Sequence, residues 1–380
     1  MLDKEEMMAN VNRSHIMRIF SANAVRADLL KYQGPENKRP SFWMDVDVHK
    51  SKLLIEFAAY SKVPILSEKE ACNVLLTKSA PELPKRLADT GIDRLEPSDI
   101  MLEYWYWAYV VSEASEVGMD SKSYCCVTLQ STDSNPYKLR SSWAMPLLVI
   151  AEETRYAFPL IDSFKRGDGG QTTAYALADD QTCMLHLDKQ RHAFIKLNFP
   201  SDYQILVINY RVFDSAVPNW VMQLCFDVLM QKLDFSRELR EDGTVEQVDA
   251  CDNKKRFRKM VEYFLKIPIH VRDDVEYTIS KARGIPRGSY FSNLIRTMSN
   301  FVMTRMLCCH IFRELPVSQR FHGSKCVLVF ESEIKLSLSD YSACAQTYFG
   351  IVVDQNRSCI AANVEDFHSL GYCCGNDEYD

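Results

Sequence analysis

Residues 325–338 read KCVLVFESEIKLSL. Two apolar runs, CVLVF and IKLSL, flank a polar tip made of Glu331, Ser332 and Glu333, and this spacing predicts a β-hairpin. Two-residue hairpin turns favour Asn-Gly, Asp-Gly or Gly-Gly, because their central residues need positive φ. The expected tip contains no glycine, so turn geometry alone does not account for its sequence.

The composition is that of a globular chain. It has 380 residues, of which 47% are hydrophobic and 25% charged, enough for one large domain or two to three subdomains. The formal net charge of -6 gives no global reason to expect nucleic acid, so a basic groove would have to be local. The N-terminal run MLDKEEMMANVNRSH lacks the apolar centre of a signal peptide, and no run of about 18 apolar residues occurs. We therefore expect a soluble cytoplasmic protein without a membrane partner.

The chain contains 13 cysteines and no CxxC spacing. Structural zinc sites usually show such pairs, so none is expected. Cys309 and His310 could act as two ligands, but the surrounding run MTRMLCCHIF is typical of a buried helix. We interpret the cysteines as core thiols in a reducing compartment.

Hydrophobic periodicity predicts an α+β protein whose second half alternates strands and helices. The predicted elements there are a buried strand at 204–209, a helix at 217–233, an acidic loop at 237–252, a basic amphipathic helix at 253–269, a long helix at 289–312, the hairpin at 325–338, and a helix ended by Gly350 before a strand near 350–354.

Two stretches have both a structural and a functional interpretation. The aromatic helix predicted at 99–118 is typical of a packed core, yet its rings could also stack on bases. The basic run KKRFRK at 254–259 is typical of a solvated helix face, yet it could also contact RNA phosphates.

The run GIPRGSYFSNLIRTMSNFV at 284–302 resembles the glycine loop and helix of viral RNA-directed RNA polymerases, of the type found in partitiviruses. The family pattern is G-V-P-S-G-S-x-F-T-x-L-x-x-S-x-x-N. Gly284 and Gly288 would let template and nucleotide approach the backbone closely. Ser289 is predicted to cap the helix, and Asn300 would lie about three turns further on the same face.

Two more stretches resemble the same family. VINYRVFDSAVPNWVMQLCFDVL at 207–229 is similar to the pattern L-D-W-S-x-F-D-x-x-V-P-x-W, with Asn209 in place of the Asp that binds both catalytic metals and Asp214 retained. YKLRSSWAMP at 137–146 is similar to a basic finger strand, whose cations at Lys138 and Arg140 would hold the incoming triphosphate.

The resemblance also interprets the opening hairpin, because the family carries G-D-D-S at the tip of such a hairpin. Alignment on Ser332 puts Val329 in place of the glycine, and Phe330 and Glu331 in place of the two acids. Asn209, Phe330 and Glu331 would then be the degenerate catalytic positions, with Glu331 the remaining weak metal ligand. No cofactor is expected unless the protein is active, in which case Mg²⁺ or Mn²⁺ is needed.

The resemblance implies that Asp214 and Asn300 contact a nucleotide ribose. Arg287 stands where the family has a small residue, and would either replace lost cations or block the nucleotide site. Downstream, Arg357 occupies a place where the family often has Lys, and FHSLGY at 367–372 is similar to a later family strand.

The expected architecture is a right-hand polymerase fold with fingers and palm but a truncated thumb. The antiparallel palm sheet would be backed by the two long helices. The expected divisions are an N-terminal and fingers region at 1–203, palm at 204–236, a fingers insertion at 237–283 and palm again at 284–380.

Three functions remain open on the sequence. The first is a catalytically degenerate copy of a viral polymerase, captured by a host genome, that binds RNA, nucleotide, a viral polymerase or a host protein. The second is an active RNA-directed RNA polymerase with an unusual metal site built from Glu331, Glu333 and Asp214. The third is a structural or interaction protein with no nucleic-acid role, in which the aromatic stretch 104–109 would be an interface.

Overall fold

The computed structural model describes residues 26–35, 37–38, 40, 62–78, 125–132, 135–145, 147–166, 203–271 and 277–361. The aromatic stretch 99–118 and the run 367–372 lie outside the described residues. Within the described ranges, no helix is long and apolar enough to cross a membrane.

The helices are α1 (26–33), α2 (Glu68–Lys78), α3 (Leu147–Arg166), α4 (Phe213–Ala216), α5 (Asn219–Lys232), α6 (Ala250–Lys266), α7 (Ser292–Phe312) and α8 (Leu338–Phe349). The strands are β1 (Val63–Leu66), β2 (Cys125–Thr132), β3 (Asn135–Ala144), β4 (Tyr203–Arg211), β5 (Leu233–Leu239), β6 (Val245–Gln247), β7 (Pro268–Val271), β8 (Tyr277–Ser280), β9 (Ser318–His322), β10 (Lys325–Glu331), β11 (Val352–Val353) and β12 (Cys359–Ala361). The mixture of helices and sheets agrees with the α+β expectation.

The central sheet has the order β11-β4-β10-β9, and β12 also pairs with β4. All of its pairings are antiparallel, as expected for the palm. Residues 205–209 of the run QILVIN form the middle of the sheet, and their side chains are buried on both faces. Leu206 and Ile208 face the main core, whereas Ile205 and Val207 pack on the other face with Val329.

The prediction of a hairpin at 325–338 is wrong. The hairpin instead joins β9 to β10, and His322 pairs with Lys325 across a two-residue turn. Gly323 takes the first turn position with φ of 55°, which is where type II′ turns place glycine. The strand ends at Glu331, and the chain then turns toward α8.

The segment after Glu331 is apolar because its side chains cover the core, and not because it forms a strand. Ile334 and Leu336 pack at the edge of the core without forming a strand. The next helix starts when the Ser337 hydroxyl accepts a hydrogen bond from the Asp340 amide. The tip around Ser332 lacks glycine because it is no hairpin turn.

The helices expected behind the sheet are present and form its core. α5 begins directly after Pro218, and α7 packs against α5 and α8. α8 ends at Gly350, whose φ of 67° gives the left-handed cap that the sequence indicated. A single large cluster of buried side chains joins these helices to β4 and β10.

Two smaller sheets flank this centre, in the orders β1-β5-β6 and β3-β2-β7-β8. The prediction of a loop at 237–252 is wrong, because β5 continues to Leu239 and pairs antiparallel with β6. The interpretation of the cysteines as core thiols holds for part of the described thiols, whereas Cys251 is exposed. Cys225, Cys308 and Cys326 are fully buried, and burial raises the pKa of each thiol.

Candidate functional site

Asn209 lies near the end of the central strand, directly opposite Lys325 on β10. Its side chain is almost buried, at 9% exposure. Its backbone amide donates to the Ser358 hydroxyl at 2.9 Å, and its carbonyl accepts from the Asp354 amide at 2.7 Å. The position that the sequence aligned with a metal-binding Asp is therefore fixed by backbone bonds on one side and by β10 on the other.

The tip of the β9–β10 hairpin is fastened beside Asn209 by α7. The Asn300 amide group donates to the carbonyls of Gly323, at 2.9 Å, and Lys325, at 3.0 Å. The Thr297 hydroxyl accepts from the Gly323 amide at 3.0 Å. Asn300 is completely buried, and its side-chain oxygen accepts from Thr304. In this conformation Asn300 holds the hairpin, so a ribose would have to displace those bonds.

Asp214 lies just beyond β4, on the short helix α4. Arg296 of α7 donates to both of its carboxylate oxygens at 2.6 Å. Arg287 approaches the same carboxylate at 3.9 Å. Bidentate Arg–carboxylate pairs are among the stronger ion pairs. The acid that the resemblance assigns to a ribose is therefore neutralised within the protein, a partner that the sequence did not reveal.

Val212 connects β4 to α4 with a left-handed backbone, at φ of 54°. This conformation is unfavourable for a β-branched residue and occurs mainly where the surrounding structure enforces it. Val212 is half exposed, so packing of its side chain does not explain the strain. The sharp turn carries the chain from the Asn209 strand to Asp214.

The two glycines of the 284–288 loop both have positive φ, 89° for Gly284 and 95° for Gly288. A Cβ on Gly284 would lie 2.8 Å from the Asp214 carbonyl oxygen and 2.6 Å from the Tyr32 ring. A Cβ on Gly288 would collide with the Trp143 carbonyl oxygen. The space beside both glycines is filled by the protein itself, and not left open for a template.

Ser289 does not cap α7, contrary to the sequence expectation. The helix begins at Ser292, and its N-cap residue Phe291 makes no side-chain cap. The Ser289 hydroxyl instead donates to Glu153 of α3 at 2.8 Å, and the Tyr290 amide donates to the same carboxylate at 2.7 Å. Burial raises the pKa of Glu153 to about 7, although both hydrogen bonds oppose that shift. An acid inside the apolar run LLVIAEETRYAF was the sequence signal for this anchor.

Residues 26–35 lie against the glycine loop, which the sequence did not indicate. The Tyr32 carbonyl accepts from the amides of Ala282 and Arg283 at 2.9 and 3.2 Å. Arg287 reaches Asp28 at 3.4 Å. Arg287 therefore bridges acids of two segments, Asp28 and Asp214.

Phe330 and Glu331 lie far from Asn209, so the structure does not bring these sequence-predicted positions together. Phe330 pairs with Gln204, five residues before Asn209, which corresponds to about 17 Å along the strand. Phe330 is completely buried, and its ring centroid lies 5.5 Å from that of Phe312. Glu331 is exposed at the strand end. Asn209 and Phe330 therefore do not belong to one site.

The finger positions 138 and 140 lie on β3, as the strand prediction required. Their side chains lie outside the described part of the chain. β3 belongs to the outer four-stranded sheet and reaches the glycine loop through the Trp143 carbonyl beside Gly288.

Asp354 is an acid hydrogen-bonded through its backbone to Asn209, and the sequence did not single it out. Its carboxylate accepts from Arg211 at 2.9 Å, and Arg357 lies 4.0 Å away. Across the described ranges, His, Cys, Asp and Glu side chains nowhere gather in a group of three that could hold a metal.

The elements β4, α5, α7 and the β9–β10 hairpin all lie between residues 203 and 331. Residues 197–340 match the model of the viral RNA-dependent RNA polymerase family. No curated protein matches the chain. The matched polymerase-like segment runs from just before β4 to the first turn of α8, so it includes Asn209, Asp214, the glycine loop and the hairpin.

Polymerases of this family use divalent metals. Such metals need hard anionic oxygens. Around the hairpin tip the side chains are those of Asn209, Ser324 and Lys325: an amide, a hydroxyl and an ammonium. This donor set does not fit a pair of Mg²⁺ ions.

Proposed function

We propose that this chain is a polymerase-like protein that binds RNA without carrying out nucleotidyl transfer. The observation that carries the proposal is the strand register: Asn209 faces Lys325 at the end of the sheet where the two-residue turn Gly323-Ser324 lies. In the resembled family, the corresponding hairpin carries the metal-binding acids.

The topology supports a different alignment of the G-D-D turn from the one that the sequence suggested. The turn that lies beside the central strand is FHGSKC, and its glycine is Gly323. Ser324 and Lys325 then stand at the two Asp positions. Together with Asn209, this leaves no acid at the three principal positions.

The chemistry of two-metal nucleotidyl transfer is unfavourable with these side chains. Two metals must clamp the attacking and the leaving oxygen, and carboxylates supply the necessary charge. Asn209 offers one neutral carbonyl oxygen. A Mg²⁺ ion about 5 Å from the Lys325 ammonium would be repelled by roughly 7 kcal/mol at an effective dielectric constant of about 20.

The two nearby acids do not compensate, because each already has a guanidinium partner. Asp214 is held by Arg296, and Asp354 by Arg211. The alternative metal site built from Glu331, Glu333 and Asp214 is disfavoured, since Glu331 pairs with the first residue of β4 and Asp214 follows its last.

RNA is the partner that the matched family implies, and the described basic residues are compatible with it. On α6, Lys254, Lys255 and Arg258 are exposed, whereas Arg256 points inward and pairs with Glu152. The basic run is thus partly a structural anchor and partly a solvated face. Capture of the gene by a host and binding to a viral polymerase are further parts of this proposal.

The test combines primer extension with RNA binding on the same preparation. The natural protein should extend no primer on an RNA template in Mg²⁺ or Mn²⁺. It should bind single-stranded RNA with an affinity that falls steeply with salt, because phosphate contacts release counterions. Primer extension would overturn the non-catalytic assignment. Binding of neither RNA nor nucleotide, with a stable protein partner instead, would favour a purely structural role.

A further inference from the structure

Building on the function proposed above, we propose that the end of the central sheet holds a phosphate group directly with protein donors, and without a divalent metal. Lys325 is the central residue of this phosphate site, with Asn209, Ser324 and Arg211 around it. The ligand chemistry is the phosphate oxyanion of an RNA strand or of a nucleotide.

The sheet register brings these residues together. Side chains two apart on a strand share a face, so Asn209 and Arg211 point to the same side of β4. Lys325 is directly opposite Asn209, and such cross-strand neighbours have Cβ atoms about 4.5–5.5 Å apart on one face. His322 is opposite Lys325 on the next strand. A row of Asn209, Lys325 and His322 therefore crosses three strands at one end of the sheet, with Arg211 on the same face of β4.

The ammonium of Lys325 is the positive charge in this row that no described acid neutralises. Within the described ranges no carboxylate lies within ion-pair distance of it, and its side chain is half-buried. Arg211, in contrast, balances the buried carboxylate of Asp354 at 2.9 Å, while its own side chain remains 59% exposed. The local charge at the position of an expected metal centre is thus inverted from anionic to cationic.

The donor chemistry favours an oxyanion over a cation. An ammonium has three donors and no acceptor, an amide has two donors, and a hydroxyl has one. Arg211 adds a guanidinium fork, which matches phosphate geometry. The same groups cannot replace the oxygen ligands of Mg²⁺, so phosphate binding here requires no metal.

The backbone beneath the row is rigid, which keeps the donors in place. The Asn300 amide holds the carbonyls on both sides of Ser324, and the Tyr210 amide donates to the Ser324 carbonyl at 3.1 Å. A fixed turn loses less conformational entropy when it binds a ligand than a mobile loop does.

The experiment is fluorescence anisotropy with a labelled single-stranded RNA oligonucleotide, in EDTA and in Mg²⁺. The natural protein should bind equally in both. Lys325→Gln should weaken binding by roughly threefold to tenfold and reduce the magnitude of the logarithmic salt slope by about 0.7, the value for one phosphate contact on a single strand. Lys325→Arg should retain binding.

Lys335→Gln is the matched control, because Lys335 is an exposed lysine beyond the other end of β10. It should leave affinity and salt slope unchanged. Competition with ATP in EDTA distinguishes the two sources of phosphate. If ATP displaces RNA from the natural protein but not from Lys325→Gln, the site binds a nucleotide phosphate. If ATP does not displace RNA, the site binds a phosphate of the RNA strand.

The outcomes separate this inference from the proposed function. If the natural protein binds no RNA, the proposed function is overturned. If RNA is bound but Lys325→Gln and Lys335→Gln behave alike, or if binding requires Mg²⁺, the phosphate site is overturned while RNA binding stands. Thermal unfolding of each variant shows whether the fold is intact. If Lys325→Gln does not fold, RNA binding by Lys325→Arg tests whether a cation at position 325 supports binding.

Discussion

Replacement of Phe330 by Asp tests which part of the chain forms the turn beside Asn209. If residues 330–331 were a degenerate metal-binding turn, an acid at position 330 would be tolerated. In the structure Phe330 has no exposed surface and packs against Phe312 in the main core. The hairpin tip is the two-residue turn Gly323-Ser324, in which Ser324 is half-buried.

The magnitudes differ enough to be decisive. Truncation of a buried Phe typically costs about 3–5 kcal/mol. A carboxyl group buried without a partner adds roughly 1–3 kcal/mol or more. The sum is comparable with the total stability of a typical domain, about 5–15 kcal/mol. Ser324→Asp, in contrast, should change the free energy of unfolding by only about 1 kcal/mol.

The assay is urea unfolding followed by tryptophan fluorescence and circular dichroism. Phe330→Asp should be insoluble or lose most of its stability, Phe330→Leu should lose only about 1–2 kcal/mol, and Ser324→Asp should resemble the natural protein. A stable Phe330→Asp variant beside a strongly destabilised Ser324→Asp variant would refute the strand register on which the site depends.

The remaining predictions concern the contacts around the glycine loop. The pKa of Glu153 is raised to about 7 in the folded protein, so its contribution to stability is fully present below about pH 4.5. As the pH rises toward 7, the free energy of unfolding should fall by about 3 kcal/mol. Glu153→Gln should remove this part of the pH dependence in urea unfolding. A double-mutant cycle with Arg296→Met and Asp214→Asn should give a coupling energy of about 1–3 kcal/mol, and a value near zero would contradict the bidentate pair. Gly288→Ala should cost about 2–4 kcal/mol in thermal unfolding, because its φ is positive and the Trp143 carbonyl fills the space; an unchanged melting temperature would contradict that packing.

The regular elements of the central region could be predicted from the sequence because their signals are local. The apolar run around Ile205–Ile208 indicates a buried strand, and Pro218 marks the start of α5. Gly350 marks the end of α8 in the same way. These signals depend on neighbouring residues alone.

The hairpin could not be predicted because strand pairing is not local. IKLSL has the composition of a strand, but Ile334 and Leu336 reach the core from an irregular segment. The true partner, β9, reads SQRFH and is too polar and short to be recognised as a strand. Only the pairing of β10 with both β4 and β9 shows which turn lies beside Asn209.

The candidate site was predicted in part. Asn209 and Asp214 lie at the end of the central strand, as the motif spacing suggested. Their partners, Arg296, Asp354 and Lys325, were not recognised, because an isolated charge gives no sign of which distant residue it contacts. Ser289 looked like a helix cap for the same reason, since its contact with the buried acid of α3 is long-range.

We propose that the polymerase-like segment lacks metal chemistry because Asn209, Ser324 and Lys325 stand where the family has acids. Primer extension on an RNA template in Mg²⁺ and Mn²⁺ tests it most directly, with the natural protein beside the triple variant Asn209→Asp, Ser324→Asp, Lys325→Asp. We expect no extension by the natural protein, and any product only from the triple variant. Template-dependent extension by the natural protein would contradict it.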